Sequence, residues 1–223
     1  MPVVDGIATT PDDSGESEFN RIFGIYPEGD ARNNIDTSAA SADRASPTPS
    51  DVSKPSNVVK SDYEGLSAAT FEAAPAAQHV VSANAGSIQV AMEDGSVVQR
   101  TGSRNWRNNN PGNIEYGSFT RKNGAIGTDG RFAVFPTYQK GMMAEAKLLF
   151  EVPAYANSTV AEALTKWSPP SENNTAKKIK DITTAVGVDP SDKMSDIPAQ
   201  KRMAFLKALE VTEGMKPGKE TKL

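Results

Sequence analysis

The sequence predicts an α+β domain, mostly helical with a small β element near its start, carried behind a long, flexible, acidic arm. Three observations predict it. The charge changes sign along the chain. Residues 1–100 hold 15 acids and 6 bases, net −9, whereas residues 101–223 hold 13 acids and 18 bases, net +5. Only 37% of residues are hydrophobic, low for a chain that is globular throughout, so one part builds no core. Past residue 136, apolar residues recur at helical spacing between capping residues and prolines.

The arm covers residues 1–86. Its first 18 residues are polar and acidic and lack the basic start and apolar centre of a secretory signal. Residues 19–26, FNRIFGIY, form an apolar island, the kind of segment that docks on a partner or collapses locally. Residues 27–60 are rich in Ser, Ala, Asp and Pro and read as a flexible linker. A short helix capped by Ser61 and ended near Pro75 follows. The domain spans residues 87–214. It opens with a hairpin, SIQVAME and SVVQR around Asp94-Gly95, read as a type I′ turn. A second small hairpin turns at Asp129-Gly130 and leaves through RFAVF. Thr137 caps a helix over 138–151, and Thr159 or Ser158 caps VAEALTKW, which stops before Pro169-Pro170. Ser171 or Asn173 starts a third helix that ends at Gly187. The last runs from about Ile197 to Glu213, and residues 215–223 read as a solvated lysine-rich tail.

The residue inventory restricts the chemistry. The chain has no cysteine, and its one histidine, His79, lies in the arm. Serine–histidine and cysteine–histidine catalysis therefore lack their base in the domain, and zinc sites lack their usual ligands, so neither a metal nor another cofactor is expected. Hydrolytic chemistry falls to carboxylates, which makes glycoside cleavage the leading option. No apolar run is long enough to span a membrane. The basic domain suits an anionic partner, but its lysines are scattered with no interleaved aromatics, which argues against nucleic acid.

Among the acids, Glu145, Glu162, Glu210, Glu213 and Glu220 fall on helix faces or in the tail and read as solvated; Asp189 and Asp192 belong to a turn. Glu115 stands out, set between Ile114 and Tyr116, where burial beside an aromatic would raise its pKa as a general acid requires. Glu172 follows the proline pair close to Trp167, and is either a second catalytic carboxylate or a first-turn acid that complements a helix dipole. Asn108, Asn109, Asn110 and Asn113 both donate and accept hydrogen bonds, as sugar hydroxyl and acetamido groups require, or they shape a turn. Tyr116 and Trp167 offer flat faces for sugar rings.

The segments RNNNPGNIEYG, GAIGTDGRFAVF and WSPPSENNT, followed by VGVDPSD, occur in this order over about residues 103–195. Together they resemble a family of bacteriophage virion proteins and endolysin-like domains with the pattern R-N-N-N-P-G-N-[IL]-x-[YF]-G, G-A-x-G-x-D-G-x-F-A-[IVF]-F and [YW]-x-P-P-x-E-N-[DN]-T. The resemblance implies a lysozyme-like domain that degrades peptidoglycan. It places Glu115, Glu172, Asn108, Asn109, Asn110, Asn113, Asp129 and Asn173 on motif positions, with Trp167 where a tyrosine is frequent. A lytic transglycosylase with Glu115 as acid/base is the first expectation. A muramidase using Glu115 and Glu172, or a structural virion protein that binds peptidoglycan without cutting it, are the alternatives. The implied setting is a phage virion, in the tail or inside the particle, acting on the host periplasm and wall. The arm would contact other virion proteins.

Overall fold

The computed structural model describes residue 22, residues 75–171 and residues 173–223. Most of the arm, the helix expected before Pro75, and Glu172 lie outside the described residues. The chain forms an antiparallel sheet and a helical cluster, as the sequence predicts. The sheet has the order β1-β2-β3-β6, from β1 (Ala77–Asn84), β2 (Ser87–Met92), β3 (Val97–Thr101) and β6 (Lys219–Lys222). A two-stranded ribbon joins β4 (Gly127–Thr128) to β5 (Ala133–Val134). The helices are α1 (Arg104–Arg107), α2 (Ser118–Lys122), α3 (Tyr138–Phe150), α4 (Pro153–Ala156), α5 (Val160–Trp167), α6 (Thr175–Val186) and α7 (Ala199–Thr212).

The helix starts follow capping chemistry. The Thr137 hydroxyl accepts from the Lys140 N–H at the start of α3. Thr159 and Glu162 form a reciprocal capping box at α5, and the Asn174 side chain accepts from the Lys177 N–H at α6. The α6 cap lies one residue beyond the expected candidates. Alternation in β2 buries Ile88, Val90 and Met92 against Val134 of the ribbon. The larger core lies among α3, α5, α6 and α7, around Leu149, Leu164, Ile182, Phe205, Leu206 and Leu209. A third cluster, Ile114, Ala133, Phe135 and Ala144 with Trp167 packed against it, ties loop, ribbon and helices together.

Four details differ from the sequence reading. The hairpin at Asp94-Gly95 is not type I′, which needs two consecutive positive φ values. Of this pair only Gly95 has one (+79°), and its N–H donates to the Met92 carbonyl, the arrangement of a bulged turn. Residues 77–84 form a strand at the sheet edge, where mostly exposed side chains hide the alternation. The expected solvated tail pairs through β6 with β3, so the folded unit reaches beyond residues 87–214 at both ends. Ile22, from the apolar island, is fully buried in the helical core, and its carbonyl accepts from Arg202. At this residue the island docks on the chain's own domain. Among the described residues, no helix is long and apolar enough to cross a membrane.

Candidate functional site

The segment from residue 104 to 136, comprising α1, the motif loop, α2 and the ribbon, folds over the start of α3, and its asparagines hold it together. Asn109 and Asn113 hold positive φ values of 51° and 50°, a conformation asparagine tolerates better than most residues. The Asn110 side chain donates to the carbonyls of Ile114 and Ala133 and accepts from the Ile114 N–H, each at 2.9 Å. Asn108 donates to Asp129 Oδ2 at 2.9 Å, and Asn109 donates to the carbonyls of Phe135 and Pro136. Asn108 and Asn110 are fully buried. These two amides therefore do not face a ligand, and the expectation that they contact sugar directly is corrected: they fix the loop to the ribbon.

Asp129 serves the same scaffold. Its side chain is buried and meets Arg104 Nε at 3.1 Å and Arg107 Nη2 at 3.7 Å. Burial works to raise this carboxyl. Hydrogen bonds from the Phe132 N–H, the Asn108 amide and the Arg131 N–H, with the nearby Arg104 charge, outweigh it and hold the pKa below its ordinary value.

Glu115 stands outside this scaffold. Its backbone bridges Phe132, but its side chain is 64% exposed rather than buried beside Ile114 and Tyr116. Its Oε1 accepts from both Arg131 Nε and Nη2 at 2.8 Å. The neighbouring aromatics carry arginines. Arg121 lies 5.6 Å from the Tyr116 ring centre, and Arg104 and Arg131 each lie 4.9 Å from that of Phe132. An exposed carboxylate thus sits on a patch of aromatic faces and guanidinium groups. Trp167 is half-buried, packed against Tyr155 and against the cluster of Ile114, Ala133, Phe135 and Ala144, and Asn173 is exposed beyond the proline turn.

A second group of charges lies beneath the loop, and the sequence reading missed it. Glu145 on α3 is fully buried, and neither carboxyl oxygen has a hydrogen-bond partner among the described residues. A Cβ added at Gly112 would lie 2.7 Å from the Glu145 carboxyl carbon and 2.7 Å from Trp167, so the Pro111-Gly112 turn rests directly on this acid. Burial, reinforced by Glu210 and Glu213 and opposed by Lys207, raises the Glu145 pKa well above the ordinary carboxyl value. Alongside, Lys178 Nζ donates to Glu213 Oε1 at 2.7 Å and to Ser168 Oγ at 2.6 Å, while Asn113 reaches the other Glu213 oxygen at 3.4 Å. Tyr138, Lys207 and Glu210 form a further linked triplet. The reading of Glu145, Glu210 and Glu213 as solvated is therefore corrected. A signal was present: Glu145 falls between Met142 and Leu149 on the apolar stripe of α3, and Lys178 falls between Thr175 and Ile182 on that of α6.

The geometry offers an exposed carboxyl group, Glu115, and a sealed one, Glu145, whose pKa burial raises. No family model matches this chain, and no curated protein or solved structure matches it.

Proposed function

We propose that this is a phage virion-associated enzyme that cleaves the glycan strands of peptidoglycan through a lysozyme-like domain, as a lytic transglycosylase with Glu115 as acid/base. One observation carries the reading. The three motif segments, far apart in sequence, form one body: Asn108 meets Asp129, Asn110 ties the loop to β5, and Gly112 rests against Trp167. Glu115 is the motif carboxylate that this body holds open to solvent, beside the faces of Tyr116 and Phe132. In the reaction, the Glu115 carboxyl gives its proton to the glycosidic oxygen as the bond to the anomeric carbon breaks. The 6-hydroxyl of the muramic acid residue then closes on that carbon and returns a proton to Glu115, so no water is consumed. Arg131 must release Glu115 for this to occur. Asn173 and Tyr116, both exposed, would contact the polymer in this reading.

The exposure of Glu115 and its pairing with Arg131 favour a second reading, a virion protein that binds peptidoglycan without cutting it. Digestion of purified wall followed by muropeptide analysis separates the two. Anhydro-muramyl ends are the expected product. Reducing ends would instead indicate a muramidase, with Glu172 as the second carboxylate, and an intact polymer that retains the protein would leave the binding role. Glu115→Gln is expected to abolish product release while changing stability by less than about 0.5 kcal/mol, as for exposed positions generally. Full activity in this variant would remove Glu115 from the mechanism.

A further inference from the structure

A recess of about 540 Å³ lies between the sheet and the start of α3, on a different part of the surface from the Glu115 patch. One wall is the sheet face carrying Arg100, Glu220 and Lys222, with Asp94 at the hairpin turn; the other is the first turn of α3, with Asn109 of the motif loop beside it. Its size is that of a small-ligand site. Its charges come in two internal pairs, Arg100 Nε to Glu220 at 2.6 Å and Lys222 Nζ to Asp94 at 3.4 Å. The second pair is long and exposed, so a ligand can replace it at little cost.

Two independent features point to a ligand carboxylate. The Arg100 side chain is only 6% exposed, yet its Nη1 has no hydrogen-bond partner among the described residues. The unused donor is sealed from solvent, so a carboxylate meets it only as the Arg100–Glu220 pair opens, and the bond it then forms is strong and directional. The opposite wall is the N-terminus of the 13-residue helix α3, whose dipole also favours negative charge. Asp94 and Glu220, in the same recess, supply the complementary partners for an ammonium group.

We infer that this recess binds a short zwitterionic peptide, of the kind that branches from peptidoglycan glycan strands, with its carboxylate on Arg100 and the α3 N-terminus and its ammonium group on Asp94 and Glu220. The peptide's identity rests on the proposed wall-degrading function; its charge pattern rests on the recess alone. Bound there, the peptide would select which stretch of wall the motif loop meets.

The test is titration of the ¹⁵N-labelled full chain with the tetrapeptide L-alanyl-γ-D-glutamyl-meso-diaminopimelyl-D-alanine. Saturable amide shifts at Asn109, Gln139 and Lys222 are expected, with the Glu115 amide unmoved. Gln139→Trp, which fills the recess from an accessible helix position, should weaken binding at least tenfold with the melting temperature preserved. Lys222→Glu should weaken it less. An N-acetylglucosamine oligomer should leave these amides unmoved. The inference is overturned if the tetrapeptide does not shift them, if the glycan oligomer shifts them equally, or if Gln139→Trp binds as tightly as the parent. A chain that cuts wall but ignores the tetrapeptide removes this inference alone, whereas one that binds the tetrapeptide but leaves wall intact removes the cleavage reading alone.

Discussion

Glu145 is a carboxyl placed where only its neutral form is comfortable. The folded state therefore keeps its proton to higher pH than the unfolded chain does, since burial and the neighbouring Glu210 and Glu213 raise its pKa. Its contribution to stability is complete below the ordinary carboxyl range and is lost as pH rises towards the folded value, because the folded state then holds the extra proton. Within that window the slope approaches about 1.4 kcal/mol per pH unit for one proton. Urea denaturation across pH 4 to 8 should show this decline, and Glu145→Gln should flatten it; an unchanged pH profile in the variant would mean that another group titrates. Asn110 makes the opposite case, a buried polar side chain with its partners in place. Asn110→Ala leaves the Ile114 N–H and the carbonyls of Ile114 and Ala133 without that partner, at a cost on the order of 3 kcal/mol by urea denaturation. Both residues show what composition conceals. An asparagine cluster reads equally as a sugar site or as a scaffold until the direction of each amide is known, and the buried carboxyl of Glu145 is betrayed only by its place on an apolar stripe.

The long helices and the two hairpins were the legible elements; the edge strands and the short helices α1, α2 and α4 were the obscure ones. Thr137, Thr159 and Gly187 mark helix ends by local chemistry that operates within four residues, so sequence alone carries the information. Strand β6, KETK, carries no such mark: all four residues are exposed, and its place is decided by partners in β3 more than a hundred residues earlier. Strand β1 is similarly veiled at the other edge. The docking of α3 on the motif loop depends on Gly141, since a Cβ there would lie 1.8 Å from the Asn109 carbonyl oxygen, a backbone atom that cannot step aside. Gly141→Ala should cost about 3 kcal/mol or more, or block folding, despite alanine's better helix propensity. Circular dichroism during thermal melting would reveal it, and a stabilised variant would contradict the packing. At the sheet edge, Glu220→Ala removes the Arg100 ion pair and should cost about 2 kcal/mol. Hydrogen exchange should then accelerate at the β3 amides before it does so in α7.

At the scale of the whole molecule, residue 22 of the arm belongs to the core of the domain. Ile22 is buried in the helical core although the sequence sets it in an acidic, low-hydrophobicity stretch 53 residues before Pro75. Ile22→Ala should therefore lower the stability of the domain by about 3 kcal/mol, within the range for a buried isoleucine. Thermal denaturation of the full chain measures it, and an unchanged melt would place the residue outside the core. The α+β class, the division of charge and the ribbon around Asp129 were readable because each rests on local pattern. The docking of Ile22, the closure of the sheet by β6 and the charge network under the loop were not, because each joins residues that only the finished fold brings together.

The union of β3 with β6 also bears on how the protein is made. Arg100 and Glu220 stand 120 positions apart, so a ribosome releases the first long before it builds the second. Throughout that interval the newly made β3 presents an unpaired edge to the cell. Sheet completion must wait until residues 219–222 have left the ribosome, which makes a nascent chain stalled before residue 219 the form most exposed to edge-to-edge association.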